Sequence, residues 1–124
     1  MTTTTPAERR RALGAYGEEY AARHLVERGM VLLDRNWRCE AGEIDLVLRD
    51  GSVLVVCEVK TRSSTAFGSP LEGVTARKAA RLRRLAALWL AEHTVHPHEV
   101  RIDLVGVLLC GADSPQVDHV RGVG

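Results

Sequence analysis

Asp45, Glu58 and Lys60 are the residues whose types and spacing promise chemistry. They stand within residues 42–62, where two aliphatic, β-branched runs flank the pair Asp50-Gly51. Such runs around an Asp-Gly pair predict a β-hairpin, because that dipeptide accepts the positive φ angles of a tight turn. Strand side chains alternate between faces, so Glu58 and Lys60 share one face with Leu54 and Val56, while Val53, Val55, Cys57 and Val59 fill the other. A turn at Asp50-Gly51 pairs Leu48 with Val53 and sets Asp45 opposite Val56, diagonal to Glu58 on the same face. Three charged groups then converge on one face of the hairpin.

Charged side chains in such a strand must lose water, and sheets seldom keep them without a partner. An ion pair between Lys60 and one carboxylate is the simplest arrangement, but it leaves the other carboxylate unexplained. Asp45 and Glu58 repel each other unless a cation sits between them, and a lysine about 7 Å along the strand neutralises only one. A hard divalent ion resolves the conflict: two carboxylates, a backbone carbonyl and waters suit Mg²⁺, or Mn²⁺, which keeps several waters.

Asp45, a hairpin turn and then Glu58-Val59-Lys60 resemble the PD-(D/E)XK nuclease signature. Gly42-Glu43-Ile44-Asp45-Leu46 together with Glu58-Val59-Lys60-Thr61-Arg62 resembles the YraN-type family of small bacterial proteins, which is similar in fold to archaeal Holliday-junction resolvases. Further matching pieces are Gly17-Glu18 with Ala21 and Leu25, Arg35-Asn36, Phe67-Gly68, Lys78 and Arg101-Ile102-Asp103, so the likeness covers most of the chain. The resemblance implies a metal-dependent endonuclease or resolvase-like hydrolase acting on DNA phosphodiesters, branched DNA included, with a homodimer among the expected states. It implies that Asp45, Glu58 and the Val59 carbonyl hold Mg²⁺ or Mn²⁺. Lys60 would orient the attacking water or meet the developing charge, and Glu18 would hold the water shell or a second ion. The competing reading is a nucleic-acid-binding accessory protein that keeps the fold with little or no cleavage. A purely structural domain leaves the charge cluster without a cause.

The elements that must position these residues follow from the rest of the pattern. The chain has 124 residues, 45% of them hydrophobic, which suits one domain with a modest core. A tail is expected over residues 1–10, with four consecutive threonines after Met1, and a single nuclease-like domain over 11–124. A first helix is predicted over about residues 7–28, its first turn overlapping that tail, and Gly29 follows it as a C-terminal cap. Its stripe of Gly14, Ala21, Ala22 and Leu25 also contains Glu18, which points a carboxylate inward, whereas Glu19 falls nearer Arg23 and solvent. Residues 30–37 read as a strand, and the lone Trp37 near its end reads as packing rather than base stacking. The Ser-, Gly- and Pro-containing residues 63–73 read as a loop beside the site.

Thr75 is the expected N-cap of a second helix reaching about residue 93, with Ala79, Leu82, Ala86, Trp89 and Leu90 inward. Its other face carries Arg77, Lys78, Arg81, Arg83 and Arg84 near the helix N-terminus, where the macrodipole disfavours cations. An anionic partner accounts for that placement, and a DNA backbone is the obvious one, although a merely solvated face has the same composition. Arg62, Arg77, Lys78 and Arg81 are the expected nucleic-acid contacts. Lys60 and Lys78 are the only lysines, so a lysine at the hairpin marks a place for a compact point charge. The net charge of +1 announces no global field, so such binding rests on local segregation of charge.

Residues 100–109 read as a buried strand and 116–121 as a final one; Arg101 and Asp103 share a face and can bridge each other. His93, His96 and His98 lie close together, but Pro97 interrupts them and no acid or thiol completes a transition-metal set. Cys39, Cys57 and Cys110 show no pairing pattern. No signal-peptide or membrane-span pattern is present, which predicts a cytoplasmic protein. The expected fold is α/β, restriction-endonuclease-like, a central mixed sheet flanked by helices in the order α-β-β-β-α-β-β.

Overall fold

The computed structural model describes residues 3–63, 75–109 and 114–123. Helix α1 (Pro6–Glu27) starts at Thr5, whose hydroxyl accepts the Glu8 N–H at 3.1 Å, with Pro6 where a missing N–H does no harm. It ends before Gly29, which takes φ +97°. Pro6 to Arg10 are therefore helical, and the first turn of α1 lies inside the segment assigned above to a tail. Strands β1 (Val31–Cys39), β2 (Gly42–Asp50) and β3 (Val53–Arg62) follow as a meander. Helix α2 (Ala76–Glu92) then crosses over to β4 (Glu99–Leu108), and β5 (Gln116–Val120) closes the sheet.

The single sheet runs β1-β2-β3-β4-β5. Only the β3–β4 pair is parallel, as the helical crossover requires, and the other neighbours are antiparallel. Alternation along β3 divides the core. Val55, Cys57 and Val59 pack beneath α1 with Ala21, Ala22 and Leu25, while Leu54 and Val56 pack beneath α2 with Leu82, Leu85, Ala86 and Trp89. The result is the α/β single domain with a mixed sheet between helices that the element order predicts. Trp89 is 2% exposed, and its indole N–H donates to Asp34 Oδ2 at 2.9 Å beside a bulge in β1, pinning α2 to the sheet's first strand. Trp37 joins the α2-side core as a partly buried residue. Residues 64–74, with Phe67 and Gly68, and Cys110 lie outside the described residues. No helix among the described residues is long and apolar enough to cross a membrane.

The hairpin and α1 correct the expected geometry in two places. Asp50 pairs with Val53 and Leu48 with Val55, so the expected Leu48–Val53 pair is displaced by two residues. The cause is the turn: Gly51 occupies the first loop position with φ +61°, leaving Asp50 in the strand and making Gly51-Ser52 the loop. An even displacement keeps the paired residues Leu46 to Asp50 on their assigned faces, and the pairing ends at Leu46, before Asp45. On α1 the glycine against the sheet is Gly17, not Gly14. A Cβ on Gly17 would fall onto the Thr61 side chain, whereas none of the described residues comes within 4 Å of one on Gly14.

Candidate functional site

Asp45 sits where β2 and β3 stop pairing. The ladder ends at Leu46 opposite Cys57, and beyond it the Val59 N–H donates to Asp45 Oδ2 at 2.8 Å, so a carboxylate replaces the backbone acceptor. Ile44 belongs to the α2-side core and Leu46 to the α1-side core, which breaks the two-residue alternation of β2 at Asp45. Glu18 comes to this point from α1, just past the close approach of Gly17 to Thr61. One carboxylate oxygen from each of Glu18, Glu43 and Asp45 lies within 4.8 Å of the other two.

The electrostatics of this corner are strained. Burial, then the charges of Glu18, Glu58 and Glu43, push the Asp45 carboxyl up to about 7, opposed by the Val59 N–H. Burial and then Glu43 raise Glu18 as well, with Arg35, the Asn36 amide and Arg38 offsetting part of the effect. Asn36 adopts φ 52° inside β1, an unusual conformation for a residue with a side chain, and one that asparagine tolerates. Glu19, the next residue on α1, has no share in the cluster. It accepts from Arg35 at 2.7 Å and from Arg23 at 3.2 Å, and the Arg35 hydrogen bond lowers its carboxyl below the usual value.

The Glu58 charge helps to raise the pKa of Asp45, yet Glu58 is not one of the three acids within mutual reach. Its side chain, 14% exposed, lies 3.8 Å from the Arg81 guanidinium of α2. Val59 meets Asp45 through its N–H rather than its carbonyl. Lys60 is half-buried one strand position beyond, level with Gly106, and makes no ion pair with any described residue; the simple Lys60–carboxylate pair is not formed. Arg62 is exposed at the end of β3. Arg77 is exposed and Lys78 half-buried on α2, whose basic face meets the acids where Arg81 approaches Glu58. Glu43 is the residue that motif reasoning left out of the site. Its signal was the run Glu43-Ile44-Asp45 itself, two acids two residues apart in one strand.

Asp103 forms a second acidic centre, fully buried and of the opposite character. It is 0% exposed, and it accepts from Arg101 Nε at 2.8 Å and a terminal Arg101 nitrogen at 3.0 Å, from His119 Nε2 at 2.7 Å and from the Gly122 N–H at 3.1 Å. Burial alone would raise its pKa, but these donors, Arg101 first, bring it below the usual carboxylate value. Arg101 also reaches Asp50 at 3.2 Å, tying β4 to the hairpin turn. His93 serves packing: its ring stacks on Trp89 with centroids 3.9 Å apart, and its Nδ1 donates to the Trp89 carbonyl at 2.6 Å.

A family model described as "Uncharacterised protein family UPF0102" matches residues 17–107, a span that holds all four acids and Lys60. A UPF0102 protein of Nocardioides is 64% identical over 124 residues, covering 100% of both chains. One from Beutenbergia cavernae is 61% identical over 113 residues, which is 91% of this chain and 96% of the relative. One from Streptomyces griseus is 57% identical over 115 residues, 92% and 97% respectively.

Proposed function

This chain belongs to the uncharacterised protein family UPF0102, and we propose that it is a cytoplasmic, divalent-metal-dependent DNA endonuclease of the restriction-endonuclease-like, PD-(D/E)XK type. The observation that carries this reading is the Asp45 corner. A half-buried carboxyl with no cationic partner among the described residues is pushed up to about 7, by burial first and then by its acidic neighbours, two of them within 4.8 Å. Such repulsion costs folding free energy that a bound cation would return.

The donor set fits a hard ion. Carboxylates without thiol or imidazole suit Mg²⁺ or Mn²⁺ rather than zinc. Glu18, Glu43 and Asp45 would hold it, in place of the Asp45, Glu58 and Val59-carbonyl set expected from sequence, with Glu58 adjoining. When bound, such an ion supplies acidification of water and neutralisation of charge on the phosphate. The chain's own residues do the positioning. The Val59 N–H fixes the Asp45 carboxylate, Lys60 offers a point charge to a phosphate oxygen or water, and Arg77, Lys78 and Arg81 hold the DNA backbone. The substrate is DNA phosphodiester, branched DNA included.

One observation favours a second reading, a nucleic-acid-binding accessory protein without efficient cleavage: Glu58 faces Arg81 instead of the other acids. Titrating Mg²⁺ or Mn²⁺ against linear, flapped, single-stranded and four-way DNAs, alongside melting curves, separates the two. The nuclease reading expects metal-dependent cleavage and, at a metal concentration one hundred times Kd, stabilisation of about 2.7 kcal/mol that Asp45→Asn abolishes. DNA binding with neither cleavage nor metal-dependent melting would leave the accessory reading.

A further inference from the structure

The two glycines of the α1 face pose different questions. Gly17 is required by the Thr61 side chain against it, but Gly14 is required by nothing described: its φ is not among the positive ones, and a Cβ there would meet no described atom within 4 Å. A glycine inside a helix weakens it relative to alanine, and Gly14 lies well inside α1. The open space at Gly14 belongs to a cavity of about 270 Å³ between α1 and the end of β3. Its lining includes Arg10, Gly14, Glu18, Val59, Thr61 and Arg62.

This cavity begins at the acidic cluster, because Glu18 belongs to both. Beyond Glu18, Arg10 and Arg62 supply guanidinium groups from α1 and β3; both residues are exposed and neither forms an ion pair with a described residue. Acids on one side and, on the other, guanidiniums without an ion pair to any described residue match a phosphodiester chain passing from a metal to a phosphate seat. A volume of about 270 Å³ admits a sugar-phosphate unit and not a base pair. The basic face of α2 touches the acids on the other side, at Glu58.

We propose that the α1–β3 cavity seats the nucleotide adjoining the cleaved phosphodiester, with Arg10 and Arg62 on its phosphate and Gly14 leaving room for its sugar. The inference rests on the nuclease reading and adds the path of the strand, beneath α1 rather than along α2 alone.

Gly14→Leu, Arg10→Ala and Arg62→Ala are compared with the parent by melting in chelator, melting in Mn²⁺, and binding of fluorescein-labelled duplex and four-way DNA in Ca²⁺ across a salt series. Gly14→Leu should melt no lower than the parent and keep its Mn²⁺ shift while losing at least about tenfold in DNA affinity, a steric loss of about 1.4 kcal/mol. Each arginine variant should flatten the slope of log affinity against log salt by about 0.7 to 0.9. The cavity assignment is overturned if Gly14→Leu binds DNA like the parent, if both arginine variants keep the parent slope, or if Gly14→Leu melts well below the parent, which would mean that the chain itself fills the space. A parent that shows the Mn²⁺ shift and binds DNA while the variants do the same defeats the cavity alone. A parent with neither property defeats the nuclease reading with it.

Discussion

Asp45 and Asp103 are both acids in central strands beside Cys57, whose thiol is pushed up by burial, by Asp103 and by Asp45. Their surroundings make them opposites. Asp103 has a forked arginine, a histidine and a backbone N–H, and its carboxyl lies below the ordinary range. Asp45 has one backbone N–H and three acids, and its carboxyl is pushed up to about 7. Burial acts in the same direction on both, so the difference comes from the donors. A buried acid whose hydrogen bonds are met by its own chain serves the fold; one surrounded by like charge is poised for something the chain does not supply.

The largest effect expected from this contrast is on Asp103. Asp103→Ala leaves the Arg101 guanidinium, whose side chain is only 19% exposed, with Asp50 alone, and takes the acceptor from His119 and the Gly122 N–H. Removing one partner of a buried pair costs about 3–5 kcal/mol. Urea unfolding at pH 7 should show a loss of that order, and a loss under about 1 kcal/mol would mean that Asp103 is not the pin described here.

Asp45→Asn should act with the reverse sign. In chelator at pH 8 it should stabilise the fold by about 1–3 kcal/mol, since the amide oxygen can still accept the Val59 N–H while the repulsion is gone. The pH dependence separates the acids further. Between about pH 4 and 7 an unfolded chain has released the Asp45 proton and the folded chain keeps it, so this group's contribution to stability falls as pH rises and is flat above about 7. The contribution of Asp103 is present above its ordinary value of 3.8 and is lost only as pH falls below that, through the depressed folded value. Chelator titrations of the parent and Asp45→Asn should therefore diverge across pH 4–7, and parallel curves there would remove the basis for a poised site.

Much of this contrast could be read before the fold was known, and what could not was non-local. The alternation of Leu54, Val55, Val56 and Cys57 fixed both faces of β3, and the two-residue error in the hairpin register left those faces intact because it was even. The register itself depended on whether Gly51 took the first or second place in the turn, which composition does not decide. Arg101 was legible as a partner of Asp103 because it lies two residues away in the same strand. The Gly122 N–H and His119 arrive from beyond a strand pairing of Val105 with His119, and no local pattern gives that register. Arg81 beside Glu58 is likewise a contact between helix and sheet that no local pattern gives. Gly14 and Gly17 fall on one broad stripe in a helical projection, and only the position of Thr61 tells them apart.

The smallest and sharpest test lies one residue apart on α1. Consecutive helix residues project about 100° from each other, so a helix seated on the sheet at Gly17 can aim only one of Glu18 and Glu19 at Asp45. The packing of Gly17 on Thr61 selects Glu18, and Glu19 turns outward to Arg23 and Arg35. Glu18→Gln should raise the melting temperature in chelator, because burial and the Glu43 charge both oppose its ionisation, and it should shrink the rise caused by Mn²⁺. Glu19→Gln removes only exposed ion pairs, which contribute little in water, so its melting curves with and without Mn²⁺ should overlay those of the parent. The paired comparison is informative because the substitutions are chemically identical and differ only in direction. If Glu19→Gln proved to be the change that stabilises in chelator and blunts the Mn²⁺ response, α1 would have to be rotated by about one residue, Gly17 would lose its contact with Thr61, and Asp45 would no longer have the company that distinguishes it from Asp103.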